Sequence, residues 1–290
     1  LSERPPDQIG TGRRSVRGCG EVDGYTKTRG KIFVLDADKT GDGRIDVNDL
    51  QWEYMEGDGD FRSDEVKRLR DEADFIITNP PFSLFREFLA WIVEADKKFL
   101  IIGNMNAICY KEAFPLIMAN KMWLGVTNFN VGMYFRVPDD FVYAPTYKFE
   151  RERDGQKVNR VPACCWYSNI DHGRRHQPLP LMTMADNIKF SRHKDVRGHG
   201  YQRYYNYDAI EVPYTDAIPS DYDGVMGVPI SFLDKYCPEQ FEIVGHSLQL
   251  ADMEVVKKAL GKANGGPRFY LMKDGVLTRL YERLAIRRKL

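Results

Sequence analysis

The sequence predicts an α/β fold, with a parallel sheet covered by helices up to about residue 172 and a smaller α+β region after it. Three observations predict this. Apolar strands alternate with amphipathic helices through the first half of the chain. One of those strands, Phe99–Ile102, is apolar at every position, as strands buried on both faces are. After His172 the pattern changes, with more Tyr, Pro and Asp and shorter strands. Three regions are therefore expected: an irregular N-terminal segment 1–30, a first domain 31–172 and a second domain 173–290. The length, 290 residues, suits such a pair.

Taken in order, Lys31–Leu35 reads as a short strand, and an acidic, Gly-rich stretch follows to about Asp60. Ser63–Ala73 reads as a helix: Ser63 suits the N-cap, Asp64 and Glu65 suit the first turn, and Val66 and Leu69 share a face. Phe75–Thr78 is a short apolar strand cut off by Asn79-Pro80-Pro81. Ser83–Ala95 is a strong helix, with Phe85, Phe88, Leu89 and Ile92 at helical spacing and Ser83 as its cap. Lys111–Ala119 is read as helical, and Met122–Val126, Met133–Val137 and Ala163–Tyr167 as strands. A helix over Leu250–Leu260 stands out in the second region.

Composition excludes several classes. Hydrophobic residues are 43% and charged residues 29%, which places the chain among globular proteins and not disordered ones. No apolar run approaches the roughly 18 residues of a membrane span, and the polar first ten residues carry no signal-peptide pattern. Five cysteines, an odd number, argue against a disulfide scaffold and fit a reducing cytoplasm. The net charge is zero, which excludes a uniformly basic nucleic-acid binder. The charge is nevertheless uneven. Asp36–Asp74 holds 14 acidic and 6 basic residues, so the remainder is basic by eight. Much of that excess lies in Asp186–Arg203, with Lys189, Arg192, Lys194, Arg197 and Arg203, and in a tail with Arg279, Arg283, Arg287, Arg288 and Lys289. Such stretches can neutralise phosphates, or can simply be a solvated face.

The segment most informative about chemistry is Asp74-Phe-Ile-Ile-Thr-Asn79-Pro80-Pro81-Phe82, a strand followed by Asn-Pro-Pro-aromatic and then a helix. Ligand sites of open α/β sheets lie beyond the C-terminal ends of the strands, which is where Asn79 falls. Its amide offers an acceptor and donors. Two prolines stiffen the turn and present carbonyls, and Phe82 offers a flat apolar face. The set suits a planar amine: the Asn79 oxygen and a proline carbonyl accept from the NH2 while the ring stacks on Phe82. The held nitrogen then loses conjugation and can attack a methyl donor.

At this point the sequence resembles a known family. Asn-Pro-Pro-Phe/Tyr is the catalytic motif of amino-methyltransferases that act on adenine, cytosine or glutamine. The longer segments GDGDFRS (57–63), TNPPFSLFREF (78–88), KKFLIIGNMNAICYKEAFPLI (97–117), ADNIKF (185–190), NYDAIEVP (206–213) and DYDGVMGVPISFLDKYCPEQFEIVG (221–245) resemble the EcoRI-type adenine-specific DNA methyltransferases. The resemblance implies a Rossmann-like sheet that uses S-adenosylmethionine, followed by a target-recognition domain. The methyl group would pass to the N6 amine of an adenine flipped out of duplex DNA. Asn79, Pro80, Pro81 and Phe82 would form the catalytic turn, with Asp60, Phe61 and Asn104 towards the cofactor. Lys189, Arg192, Lys194, Arg197 and Arg203 are the candidate DNA contacts. A cytoplasmic monomer acting on double-stranded DNA, in a restriction–modification setting, is the implied context.

The sequence departs from that pattern in one respect. Such a fold carries its main cofactor loop after its first strand, and none is found. Ile9–Gly12 and Gly18–Gly20 are glycine-rich but follow no credible strand, and a lone Gly-x-Gly is weak evidence. The expectation is a chain that starts downstream of that loop. The rival readings are a non-catalytic DNA- or calcium-binding remnant, or an enzyme for cytosine N4 or protein glutamine. No metal is expected. Asp38, Thr40, Asp42, Asp46 and Asp49 nearly fit a calcium loop, but its twelfth position is Asp, and a strand precedes it where a calcium loop has a helix. Cys164 and Cys165 with His172 and His176 fit no zinc spacing.

Overall fold

A computed structural model describes residues 29–127, 129, 131–261 and 266–289. The two glycine-rich candidates before residue 28 lie outside the described residues. The chain divides into two compact units, Leu1–Leu69 and Arg70–Leu290. Among the described residues no helix is long and apolar enough to cross a membrane.

The first unit is built on an antiparallel pair, β1 (Lys31–Val34) and β2 (Gln51–Tyr54), in register Lys31 to Tyr54. The acidic stretch between them folds on its own backbone. Asp38 accepts from the N–H groups of Gly41 and Gly43 at 2.6 and 2.8 Å. Asp49, 2% exposed, accepts from Lys39, Thr40 and Asp46. Those N–H bonds, Asp46 first, hold the Asp49 carboxyl down to about 2. Helix α1 (Asp64–Glu72) begins after Ser63, whose hydroxyl accepts from Val66 N–H as the sequence predicts. Glu65 reaches back to the N–H groups of Glu56 and Gly57 at 2.9 and 3.0 Å, which ties the approach to the helix.

The second unit is mixed α/β with several sheets. Its first sheet runs in the order β3 (Phe75–Thr78), β4 (Lys98–Asn104), β9 (Cys164–Ser168), β5 (Trp123–Leu124). β3 and β4 are parallel, joined through α2 (Phe85–Glu94). β9 is antiparallel to both β4 and β5, so the sheet is mixed and the expected all-parallel arrangement holds only for its first pair. Beside it, β6 (Met133–Arg136), β8 (Gln156–Val161) and β7 (Glu152–Arg153) form an antiparallel sheet. The second four-stranded sheet runs β10 (Ile210–Glu211), β11 (Met226–Pro229), β15 (Arg283–Arg288), β12 (Phe241–His246). A hairpin of β13 (Tyr270–Lys273) and β14 (Val276–Arg279) precedes β15. The basic tail of the sequence is therefore an interior strand, with Leu284, Ala285 and Ile286 fully buried.

Three helices differ from the sequence expectation for identifiable reasons. Ser83 does not cap α2: Leu84 N–H bonds to the Pro81 carbonyl, so a 3-10 turn over Phe82–Leu84 comes first and α2 has no side-chain cap. α3 is only Phe114–Met118, with Pro115 in its first turn, where a residue lacking an N–H is tolerated. The helix expected over 250–260 is broken. α5 (Ser247–Leu250) ends, Ala251 is extended, and Asp252 caps α6 (Met253–Leu260) by accepting from Glu254 and Val255 N–H. The remaining helix, α4 (Met184–Phe190), is capped by Thr183.

Candidate active site

Parallel pairing puts the C-terminal ends of β3 and β4 on one rim, with Thr78 opposite Ile101. Residues 79–82 leave β3 at that rim and residues 104–109 leave β4 there. Asn79 is exposed, Pro80 buried, Pro81 exposed, and Phe82 is 42% exposed. The Pro81 carbonyl accepts from the Leu84 N–H at 2.9 Å.

The turn is held from behind by a close approach between helix and strand. Phe85, the first residue of α2, packs on Gly103 of β4 so closely that a Cβ at Gly103 would enter the Phe85 ring and lie 2.9 Å from the Tyr167 ring. Glycine is required there because no side chain fits. Tyr167 of β9 is fully buried, meets Phe85 at 5.4 Å between ring centres, and donates its hydroxyl to the Asn104 carbonyl at 2.9 Å. Neither Gly103 nor Tyr167 is given a role at the site by the sequence, although a glycine ending an apolar strand is the available signal.

Asn104 sits at the end of β4 and its side chain accepts from Asn106 N–H at 2.9 Å, capping the 3-10 turn Met105–Cys109. Asp60 and Phe61 belong to the first unit. Asp60 accepts from the Arg62 backbone N–H at 2.8 Å and from its guanidinium at 2.9 and 2.6 Å. The Arg62 hydrogen bonds hold the Asp60 carboxyl down to about 2, so it is ionised at neutral pH. A carboxylate accepts about four hydrogen bonds. Of these bonds Oδ1 takes two and Oδ2 one.

The five candidate DNA contacts differ in surroundings. Lys189, at the end of α4, lies 4.9 Å from the Phe190 ring centre. Arg192 pairs with Asp216 at 2.7 Å and Arg203 with Asp208. Lys194 and Arg197 are exposed in the loop after α4. In the tail, Arg283 pairs with buried Glu211 at 2.8 Å, Arg287 with Glu242 at 3.1 Å, and Arg288 donates to the Ser220 carbonyl. The cysteine and histidine decoys separate. His172 bonds the Leu124 carbonyl, His176 lies between Asp171 and Glu239, and Cys164 bonds the Val161 carbonyl. A different cluster was missed: Cys109, His246 and Glu282 meet within 4.8 Å.

No solved structure matches the chain. Type II methyltransferase M.EcoRI of Escherichia coli is 42% identical over 220 residues, 76% of this chain and 61% of that protein. Type II methyltransferase M.MpnI of Mycoplasma pneumoniae is 36% identical over 191 residues, 66% of this chain and 57% of that protein. The chain thus spans about three-fifths of the length of these relatives. Residues 21–289 match the family described as adenine-specific methyltransferase EcoRI. With that match over nearly its whole length, the chain belongs to the EcoRI-type adenine-specific methyltransferase family.

Proposed function

We propose that this chain carries the acceptor-binding part of a DNA methyltransferase, acting on the N6 amine of an adenine extruded from the duplex, with S-adenosylmethionine as methyl donor. The observation that carries the reading is the turn of residues 79–82, which sets an exposed Asn, two prolines and a half-exposed ring at the C-terminal rim of a parallel strand pair. The base amine is paired inside the duplex, so it must leave the stack to reach such a rim. Phe82 stacks on the extruded base. The Asn79 oxygen and the Pro80 carbonyl accept the two amine N–H bonds and draw the nitrogen out of conjugation, which returns its lone pair. When bound, the cofactor would supply a methyl group on a positively charged sulfur: the amine nitrogen would bond to the methyl carbon as the carbon–sulfur bond breaks and the sulfur leaves as a neutral thioether. The nitrogen then sheds one proton, with the Asn79 and Pro80 oxygens holding its N–H groups until solvent takes it. Asp60, Phe61 and Asn104 are the residues of this chain proposed to hold the cofactor.

In this reading β3, β4 and their helices belong to a Rossmann-like catalytic region, residues 31–172, and residues 173–290 recognise the target. The exposed cations after α4 contact phosphates. A cytoplasmic enzyme of a restriction–modification system is the proposed setting, with a restriction nuclease as its counterpart.

The test is transfer of labelled methyl from S-adenosylmethionine to unmethylated duplex DNA, followed by digestion and separation of nucleosides. Both this chain and a longer chain that contains it, of the length of M.EcoRI, are assayed. Label in N6-methyladenine, absent with Asn79→Ala, is the expected result. Label in N4-methylcytosine, or none with either chain, overturns it.

A further inference from the structure

Cys109, His246 and Glu282 lie far apart in sequence and meet in the second unit. Cys109 ends the rim turn Met105–Cys109, His246 ends β12, and Glu282 lies just before β15. The Cys109 thiol is 2.9 Å from Glu282 Oε2 and 3.5 Å from His246 Nε2. His246 Nε2 is 3.8 Å from the same Glu282 oxygen, and Arg268 donates to the other, Oε1, at 2.5 Å. His246 is 2% exposed, and the Phe114 ring of α3 stands edge-on to it at 5.5 Å.

A thiol, an imidazole and a carboxylate at these distances could hold a thiophilic divalent cation. The other ring nitrogen decides against it. His246 Nδ1 accepts the Leu248 backbone N–H at 3.0 Å, as the N-cap of α5. A ligating histidine needs the reverse, a bare nitrogen on the metal and an N–H on the far side that donates to a carbonyl or carboxylate. With Nδ1 accepting, neutral His246 carries its proton on Nε2 and points it at Cys109 and Glu282. The thiol then donates to Glu282, and the Arg268 guanidinium balances the carboxylate. Every donor has an acceptor and the chain of bonds has one direction.

We propose that Cys109, His246 and Glu282 are positioning residues, a directed hydrogen-bonded clamp that fixes the rim turn Met105–Cys109 to the C-terminal sheet. The inference rests on the reading of that rim as the active site. The turn opens with Asn104 and Asn106 at the rim and closes with Cys109 at the clamp, so loosening one end frees the other. Because Glu282 and Arg268 belong to the proposed recognition region, target binding there acts on the same turn that faces the acceptor. Burial, then the hydrogen bond to Glu282, push the Cys109 thiol up, which keeps it protonated and a donor.

The test uses the full chain and two readouts. The first is alkylation of Cys109 by iodoacetamide at neutral pH, followed by peptide mass mapping. Releasing the thiol from Glu282 in Glu282→Ala should speed modification about 10-fold or more, since both access and thiolate fraction rise. The second is methyl transfer. Cys109→Ala should lower kcat/KM by about 10-fold with the melting temperature nearly unchanged, while Cys109→Ser, which keeps a donor, restores most of it. Equal alkylation rates in wild type and Glu282→Ala overturn the clamp. So does a parallel fall of activity and melting temperature in both the Ala and Ser variants, which marks a merely structural role. One equivalent of zinc in the purified chain, lost in Cys109→Ala, replaces the clamp by a metal site. If no variant and no wild-type chain transfers methyl, the active-site reading fails, and the alkylation rates still decide the clamp.

Discussion

Residues 186–203 and 279–289 carry similar excesses of positive charge, and folding uses them in opposite ways. The second stretch becomes the interior strand β15 and its approach. Its Arg283 is sealed against Glu211, with the Tyr204 hydroxyl donating to the same carboxylate. Arg287 and Arg288 are bound to Glu242 and to the Ser220 carbonyl. The first stretch leaves its cations at the surface, Lys194 and Arg197 wholly so. A count of charges cannot distinguish the two. What distinguishes them is whether three apolar residues, Leu284–Ala285–Ile286, sit between the charges and pull the segment into a core.

The largest effect should come from opening the buried pair. Glu211→Ala leaves Arg283 charged beside Tyr204 without its carboxylate partner, a loss of about 3–5 kcal/mol of stability. The surface pair Arg192–Asp216, by contrast, contributes at most about 1 kcal/mol. Urea unfolding of Glu211→Ala and Arg192→Ala measures both, and similar small losses would erase the distinction. Next is the rim. Asn79→Ala should lower methyl transfer about 100-fold or more, while the unfolding midpoint and DNA affinity stay near wild type. Turnover within a few-fold of wild type removes Asn79 from the chemistry.

His246 adds a pH dependence to the buried side. It faces Cys109, Glu282, Arg268 and Phe114, and burial lowers its pKa from 6.5 to about 4. The folded state therefore favours the neutral ring. The stabilisation is complete above about pH 6.5, where the unfolded ring is also neutral, and is lost as pH falls towards 4. It is worth up to about 3 kcal/mol across that window. The unfolding free energy of wild type should fall more steeply between pH 6.5 and 4 than that of His246→Asn, which keeps a cap acceptor. Parallel pH curves would show that His246 takes up its proton as easily folded as unfolded.

The legible parts of this molecule are those encoded locally. The Asn-Pro-Pro-Phe turn was legible because prolines and a preceding apolar strand fix both its place and its exposure. α1 was legible down to its Ser63 cap. The direction of β9 was not, because an apolar run is equally consistent with parallel and antiparallel neighbours. The Cys109 clamp was not legible either: its partners stand 137 and 173 residues away, and no spacing rule reaches that far. At the turn itself, the bond from the Leu84 N–H to the Pro81 carbonyl was not legible, because it belongs to the 3-10 turn that stands where Ser83 was expected to cap the helix.

A smaller effect separates two roles for an exposed aromatic ring. Phe82 is 42% exposed at the rim, and stacking on a base is worth roughly 1–3 kcal/mol. Phe82→Ala should lose that much in kcat/KM, and Phe82→Tyr and Phe82→Trp should lose little, because each keeps a flat face. Equal losses in all three would make Phe82 a packing residue.

The smallest effect tests the opening contrast directly. Each phosphate contact releases counterions, so removing one contact should lower the slope of log affinity against log salt by about one and weaken every DNA sequence alike. Lys194→Ala and Arg197→Ala should behave in this way, each by only a few-fold in affinity at moderate salt. Arg192 and Arg203 start from ion pairs with Asp216 and Asp208. Their removal also frees an acid, so their effect on the slope should be weaker or absent. Arg203, set among Tyr201, Tyr204, Tyr205 and Tyr207 in the sequence, is the candidate for reading a base edge, and its removal should relax specificity at one position and leave non-specific binding alone. Arg287→Ala, in the strand, should leave the slope unchanged, because its partner Glu242 already holds it. Titrations of matched and scrambled duplexes at several salt concentrations distinguish these outcomes. A slope change at Arg287 equal to that at Lys194 would mean that DNA breaks the strand's ion pairs on binding. The contrast between the two basic stretches would then describe only the free protein.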